Sequence, residues 1–249
     1  MASIRISEEA GVRYLHFGSR WIQGAMRIAR PFALELDYTR DMMFPLLVQP
    51  SAWPRTCLQI GLGAGSLAKF LHRHRPSTRV RIVEIEPEVA TAAWHFFKLP
   101  DASDHLDVEI ADGHEFMART TRRFDLIQVD GFDSRARAGM LDSLPFYVNA
   151  RSRLQPGGWF VTNILRRRHD IRPSVARLSE TFDGRVLAMP RCEGGNTVVL
   201  ARGDADFCVD FDALRERALR FKSETGLNLL PRVAALVARG GSELSVRAA

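Results

Sequence analysis

Between Cys57 and Gly65 an apolar run passes straight into alternating glycines: Cys57-Leu58-Gln59-Ile60, then Gly61-Leu62-Gly63-Ala64-Gly65. A short apolar run ending in G-x-G-x-G reads as a buried strand that turns sharply into a helix. Glycine lets the backbone take left-handed angles and approach a ligand with no Cβ in the way. The unit then repeats. A second strand, Val80 to Val83, ends at Glu84 ahead of a helix reaching Phe97, and a third, Asp107 to Ile110, meets Asp112-Gly113. A fourth, Asp125 to Val129, ends at Asp130. A helix from Leu144 to Leu154 leads through the turn Pro156-Gly157-Gly158 into a fifth strand ending at Asn163. A helix from Pro173 to Phe182 precedes two closing strands, Arg185 to Met189 and Asn196 to Ala201. This alternation predicts an α/β fold with a doubly wound, mainly parallel, seven-stranded Rossmann-like sheet.

The flanks read differently. Residues 2–23 alternate apolar and polar side chains around Glu8-Glu9-Ala10-Gly11, which predicts a small β-hairpin or three-stranded cap. Leu34, Leu36, Tyr38, Met42, Met43, Leu46 and Leu47 predict one lead-in helix ending near Gln49-Pro50. After Asp210 at least one amphipathic helix is expected. The expected organisation is therefore a cap and lead-in helix over 1–50, a doubly wound α/β domain over 51–205 and a helical extension over 206–249.

Composition excludes several classes. The 249 residues are 46% hydrophobic and 26% charged, ordinary for a globular domain. No apolar stretch approaches the ~18 residues of a membrane span, and the first residues lack a secretory layout. Cys57, Cys192 and Cys208 show neither disulfide-framework nor zinc spacing. The expectation is a cytoplasmic protein with no metal and no membrane partner. A net charge of +6 allows nucleic acid as a partner, with Arg166-Arg167-Arg168 as its densest cluster. Lysine stands only at 69, 98 and 222, so uniform arginine usage and a solvated basic face are the preferred account.

In such sheets ligands bind beyond the carboxyl ends of the strands, and here those ends carry glycines or acids. Gly61, Gly63 and Gly65 supply the turn, though Ser66 stands where a dinucleotide fingerprint has its third glycine. Glu84 lies about 20 residues past the glycines, the spacing at which an acid reaches a ribose diol. Asp112 can accept from an adenine amino group, with Gly113 giving the base room. Asp130 and Asp133 beside such a pocket suit a cationic substrate, since an amine must lose a proton before it attacks. The plainer alternatives are a packing turn, surface acids and a solvated acidic turn.

Together these residues make the chain resemble the spermidine synthase (polyamine aminopropyltransferase) family over roughly residues 12–201. The segments that carry it are Gly61-Leu62-Gly63-Ala64-Gly65, Val83-Glu84-Ile85-Glu86-Pro87, Asp112-Gly113-His114-Glu115-Phe116 and Asp130-Gly131-Phe132-Asp133. Phe146-Tyr147, Leu154-Gln155-Pro156-Gly157-Gly158 and Trp21-Ile22-Gln23 add to them. The resemblance implies a class I S-adenosylmethionine-dependent methyltransferase-like fold, decarboxylated S-adenosylmethionine as co-substrate, an amine acceptor such as putrescine, no metal, and a homodimer. It gives Glu84 the ribose, Asp112 the adenine amino group, Gln23 part of the nucleoside, Asp130 the catalytic acid–base role and Asp133 the acceptor amine. Tyr38, in Tyr38-Thr39-Arg40-Asp41, stands for the family's substrate-contacting tyrosine segment.

The chain departs from the family pattern at Ala64, where an aspartate usually holds the aminopropyl amine, and at Ser134, where a proline usually stands. Two alternatives follow: an S-adenosylmethionine-dependent methyltransferase on a small molecule or RNA, and a non-catalytic nucleoside-binding relative. Against the first, Gln59 occupies a position where methyltransferases often carry an acid, and no Asn/Asp-Pro-Pro-aromatic motif follows the fourth strand.

Overall fold

The computed structural model describes residues 4–17, 21–133, 135–165 and 170–248. An antiparallel sheet opens the chain: β1 (Ile4–Glu9), β2 (Val12–Phe17) and β3 (Ile22–Arg27), in that order. Ala10 and Gly11 join β1 to β2 at φ 49° and 74°, the paired left-handed angles of a two-residue hairpin turn. The cap therefore has a third strand beyond the simple hairpin.

The lead-in helix is broken in two, α1 (Asp37–Asp41) and α2 (Phe44–Val48). Pro45 has no N–H to donate to the carbonyl of Asp41, and its ring would collide with it, so a single helix cannot run through. The break leaves the Met42 carbonyl free to accept from Gln128 Nε2 at 3.0 Å.

The main sheet contains β4 (Thr56–Ile60), β5 (Arg79–Glu84), β6 (Leu106–Ile110), β7 (Phe124–Val129), β8 (Leu154–Leu165), β9 (Val186–Ala188) and β10 (Asn196–Arg202). Their order is β6-β5-β4-β7-β8-β10-β9. Neighbours from β6 to β8 run parallel, and β10 is antiparallel to both β8 and β9. The helices between are α3 (Ser66–His74), α4 (Pro87–Phe97), α5 (Gly113–Arg119), α6 (Leu144–Ser152) and α7 (Arg172–Thr181). Residues of β4 alternate between two apolar cores, Cys57 in one and Leu58 and Ile60 in the other. That is why the parallel strands read as unbroken apolar runs. The expected turn at Pro156-Gly157-Gly158 lies inside β8, where pairing with β7 slips between Phe124 and Leu126; Gly157, at φ 73°, takes up the slack.

The C-terminal segment holds more than a helix. α8 (Phe211–Thr225) and α9 (Leu230–Val237) are flanked by β11 (Phe207–Asp210) and β12 (Glu243–Val246), which pair antiparallel. Among the described residues no helix is long and apolar enough to cross a membrane. Arg166-Arg167-Arg168 and Ser134 lie outside the described residues.

Candidate active site

The sheet order reverses around β4, so the connections after β4 and β7 leave in opposite directions and open a crevice between them. The two strand tips touch there. Asp130 N donates to the Ile60 carbonyl at 2.8 Å. A Cβ on Gly61 would lie 2.3 Å from the Asp130 carbonyl oxygen, and Gly61 sits at φ 90°. No other residue fits without parting the strands. Gly63 does the same for the cap, since its Cβ would meet the Gln23 carbonyl at 2.8 Å. This contact brings β3, and with it Gln23, to the rim of the crevice.

The crevice is a cavity of about 400 Å³ lined by Gln23, Gly61, Gly63, Glu84, Asp112, Gly113, Asp130 and Asp133, with Val83, Ile60 and Leu141 supplying apolar wall. Gln23, Gly61 and Asp130 also border a smaller recess shared with Tyr38, Gln59 and Ala64. Gly65 is the exception among the expected residues. It caps α3 on the far side of the loop, where its Cβ would strike Leu99, and it lines neither space.

Each acid is held differently. Glu84 is buried at the tip of β5, its oxygens accepting from the Leu62 N–H at 2.8 Å and the Glu86 N–H at 3.0 Å. Burial raises its pKa above the ordinary carboxylate range, and the backbone donors pull the other way. Asp112 caps α5, with Oδ1 accepting from the His114 and Glu115 N–H groups, and it lines the cavity. Asp130 is surrounded by protein yet borders both spaces. Asn163 Nδ2 donates to Oδ1 at 2.9 Å, and the Tyr38 hydroxyl donates to Oδ2 at 3.0 Å. Burial raises the Asp130 pKa, and the Asn163 and Tyr38 hydrogen bonds oppose the rise. Tyr38 is pushed well above its usual value by burial and then by the neighbouring carboxylate. The result is a partly desolvated carboxyl group with fixed donors, bordering the cavity.

Asp133 lines the cavity, and both of its oxygens are held by its own loop. Its Oδ1 accepts from the N–H groups of Arg135 and Arg137 at 2.8 and 2.9 Å, and its Oδ2 pairs with the Arg137 guanidinium at 2.7 Å. Slight burial raises its pKa, but the Arg137 hydrogen bonds and charge outweigh that and hold it low.

A family model described as the spermine/spermidine synthase domain matches residues 35–186. The chain belongs to the spermine/spermidine synthase family. The polyamine aminopropyltransferase of Chromobacterium violaceum is 36% identical over 227 residues, which cover 91% of this chain and 86% of that protein. Solved structures share the fold. A probable spermidine synthase from Corynebacterium glutamicum matches with a TM-score of 0.72 at 18% identity, covering 91% of this chain and 92% of that one. Human methyltransferase-like protein 13, in complex with SAH, matches with a TM-score of 0.68 at 24% identity over 77% and 93% of the two chains. The fold is thus that of the class I methyltransferases.

Two residues of this family member's site escaped the sequence reading. Asn163 is a polar side chain at the end of the apolar β8, and that misfit was a usable signal. Its amide is oriented by Asn196, whose Nδ2 donates to Asn163 Oδ1 at 3.0 Å. Arg137 gave no signal, because nothing in the sequence ties that arginine to Asp133. Gln59 turns inward to a buried pair with Gln128, Nε2 to Oε1 at 3.0 Å.

Proposed function

We propose that the chain is a polyamine aminopropyltransferase that moves the aminopropyl group of decarboxylated S-adenosylmethionine onto an amine of a diamine such as putrescine. The observation that carries this is Asp130: a desolvated carboxylate held by Tyr38 and Asn163 on the wall of a cavity whose other acids suit a nucleoside. In this reading Glu84 accepts from the ribose hydroxyls, Asp112 Oδ2 from the adenine amino group, and Gln23, Gly61, Gly63 and Gly113 shape the cradle. The apolar wall and absence of intruding side chains at the glycines fit a flat base and its sugar. Asp130 attracts the acceptor ammonium and takes its proton. The freed nitrogen forms a C–N bond to the aminopropyl carbon as the C–S bond breaks, and methylthioadenosine leaves neutral. The sulfonium is already a good leaving group, so orientation and proton removal supply most of the acceleration. Asp133 receives the distal ammonium once Arg137 yields it. The homodimer expected from the sequence belongs to the same reading; Ile22, which opens the edge strand β3, and Ile28, just past its end, are exposed and support it, and sedimentation tests it.

The assay is incubation with decarboxylated S-adenosylmethionine and putrescine, then longer diamines, with detection of methylthioadenosine. A stoichiometric pair of methylthioadenosine and aminopropylated amine supports the reading, and no product with any diamine defeats it. A second reading, methyl transfer, is favoured by one observation. Ala64 packs its Cβ against Gly24 and places no acid where the aminopropyl amine would need one. Calorimetry with both forms separates the two: tighter binding of the carboxylated form would favour methyl transfer.

A further inference from the structure

We propose that Arg232, in the C-terminal helix α9, is a positioning residue for the reaction at Asp130: through Asp41 it holds the short helix that carries Tyr38. This rests on the aminopropyl-transfer reading, and it assigns a role to a segment beyond the residues 35–186 that the family model matches.

Helix α1 has five residues, and its N-cap, Leu36, makes no side-chain cap hydrogen bond. A helix that short has no stability of its own in water, so its place is set by what grips it. Asp41, one turn after Tyr38, is fully buried. Arg232 grips it with both arms of the guanidinium, Nε to Oδ1 at 2.7 Å and an Nη to Oδ2 at 2.5 Å. The same guanidinium donates to the Pro190 carbonyl, and the Cys192 thiol donates to Asp41 Oδ2 at 3.4 Å. From the other side Gln128, two residues before Asp130 on β7, holds the Met42 carbonyl. Four parts of the chain therefore meet at the end of α1, and the tyrosine on that helix reaches Asp130.

Stability alone does not account for the pair. A buried ion pair pays desolvation for both charges, and apolar side chains of similar volume often stabilise as well or better. What they cannot supply is direction, because a forked guanidinium on a carboxylate fixes both distance and angle.

Arg232→Met alone leaves a buried carboxylate unpaired and threatens folding, so the informative variant is Asp41→Leu/Arg232→Met. It is expected to keep its thermal midpoint and its affinity for methylthioadenosine, and to lose roughly 10-fold in kcat, the scale of a small misplacement at a reacting centre. Adding Tyr38→Phe to it should cost little more, although Tyr38→Phe alone costs about the same 10-fold. Arg232→Lys, which keeps the charge without the fork, should fall between. Isotope-labelled tyrosine rings give a readout without turnover, since the chain has three tyrosines and Tyr38→Phe assigns the signal. That resonance should move in the double variant. An unchanged kcat with an unmoved Tyr38 signal, or penalties that simply multiply, overturns the proposal. If the parent protein transfers no aminopropyl group while the Tyr38 signal still moves, the functional reading has failed and the brace has not.

Discussion

Replacing Asn163 with leucine keeps the bulk of the side chain and removes one of the two donors on Asp130. A hydrogen bond to a charged group contributes about 1.5–3 kcal/mol, and one pKa unit corresponds to about 1.36 kcal/mol. Loss of the 2.9 Å contact should therefore raise the Asp130 pKa further. The sign follows from the charge state: Asn163 Nδ2 favours the ionised carboxylate, so its removal favours the protonated acid. Below its pKa Asp130 cannot take the acceptor's proton, so the acid limb of the kcat/KM profile should move to higher pH. At high pH the variant should approach the parent rate, because Tyr38 still holds Oδ2. The assay is methylthioadenosine formation across the pH range at saturating nucleoside, with affinity measured separately. An acid limb that stays in place would show that Asp130 is not the titrating base, and the mechanism would need another.

Three further substitutions test the rest of the site. Glu84→Gln should weaken methylthioadenosine binding by roughly 10–100-fold by calorimetry, since it removes a charge-assisted acceptor; unchanged affinity would detach Glu84 from the ribose. Arg137→Gln should lower the KM for a diamine by up to about 5-fold, because an exposed pair contributes about 0.2–1 kcal/mol. A monoamine should show no such gain, and equal KM values for the diamine in both proteins would mean that Asp133 does not receive the acceptor. Gly61→Ala should lower the thermal midpoint and nucleoside affinity together, because its Cβ meets the Asp130 carbonyl at 2.3 Å. Preservation of both would show that the strand tips are freer than they look.

The parts of this protein legible in its sequence are those encoded locally. The run Cys57 to Gly65 states its own strand, turn and helix start, Glu84 and Asp130 stand at the ends of strands whose apolar character is visible without their neighbours, and Asp112 follows a short alternating strand. A parallel sheet of this kind then brings the strand ends together by topology, so three acids distant in the chain could be placed at one cavity. What stayed hidden depends on pairings that no local pattern records. Asn163 acts on a residue 33 positions away, and Arg232 grips one 191 positions away. β11 and β12 are four-residue strands whose only signal is Phe207 and Val209 answering Leu244 and Val246 across two intervening helices. The partner of Asp133 was hidden for a related reason. Its place after Asp130 marked it as an acid near the cavity, but its own loop folds back within four residues to occupy it. The broken lead-in helix was readable in principle, since Pro45 forbids the bond that a continuous helix needs.

The proposed reaction turns on one proton transfer, from the acceptor amine to Asp130. Asp130→Asn keeps the shape of the site and an oxygen for one of its two donors while removing the proposed base, and the decisive measurement is its single-turnover rate of aminopropyl transfer beside its methylthioadenosine affinity. A rate lower by about 10²–10⁴-fold with affinity within a small factor of the parent is the predicted result. A variant that transfers at the parent rate would contradict the assignment of Asp130 and the mechanism built on it.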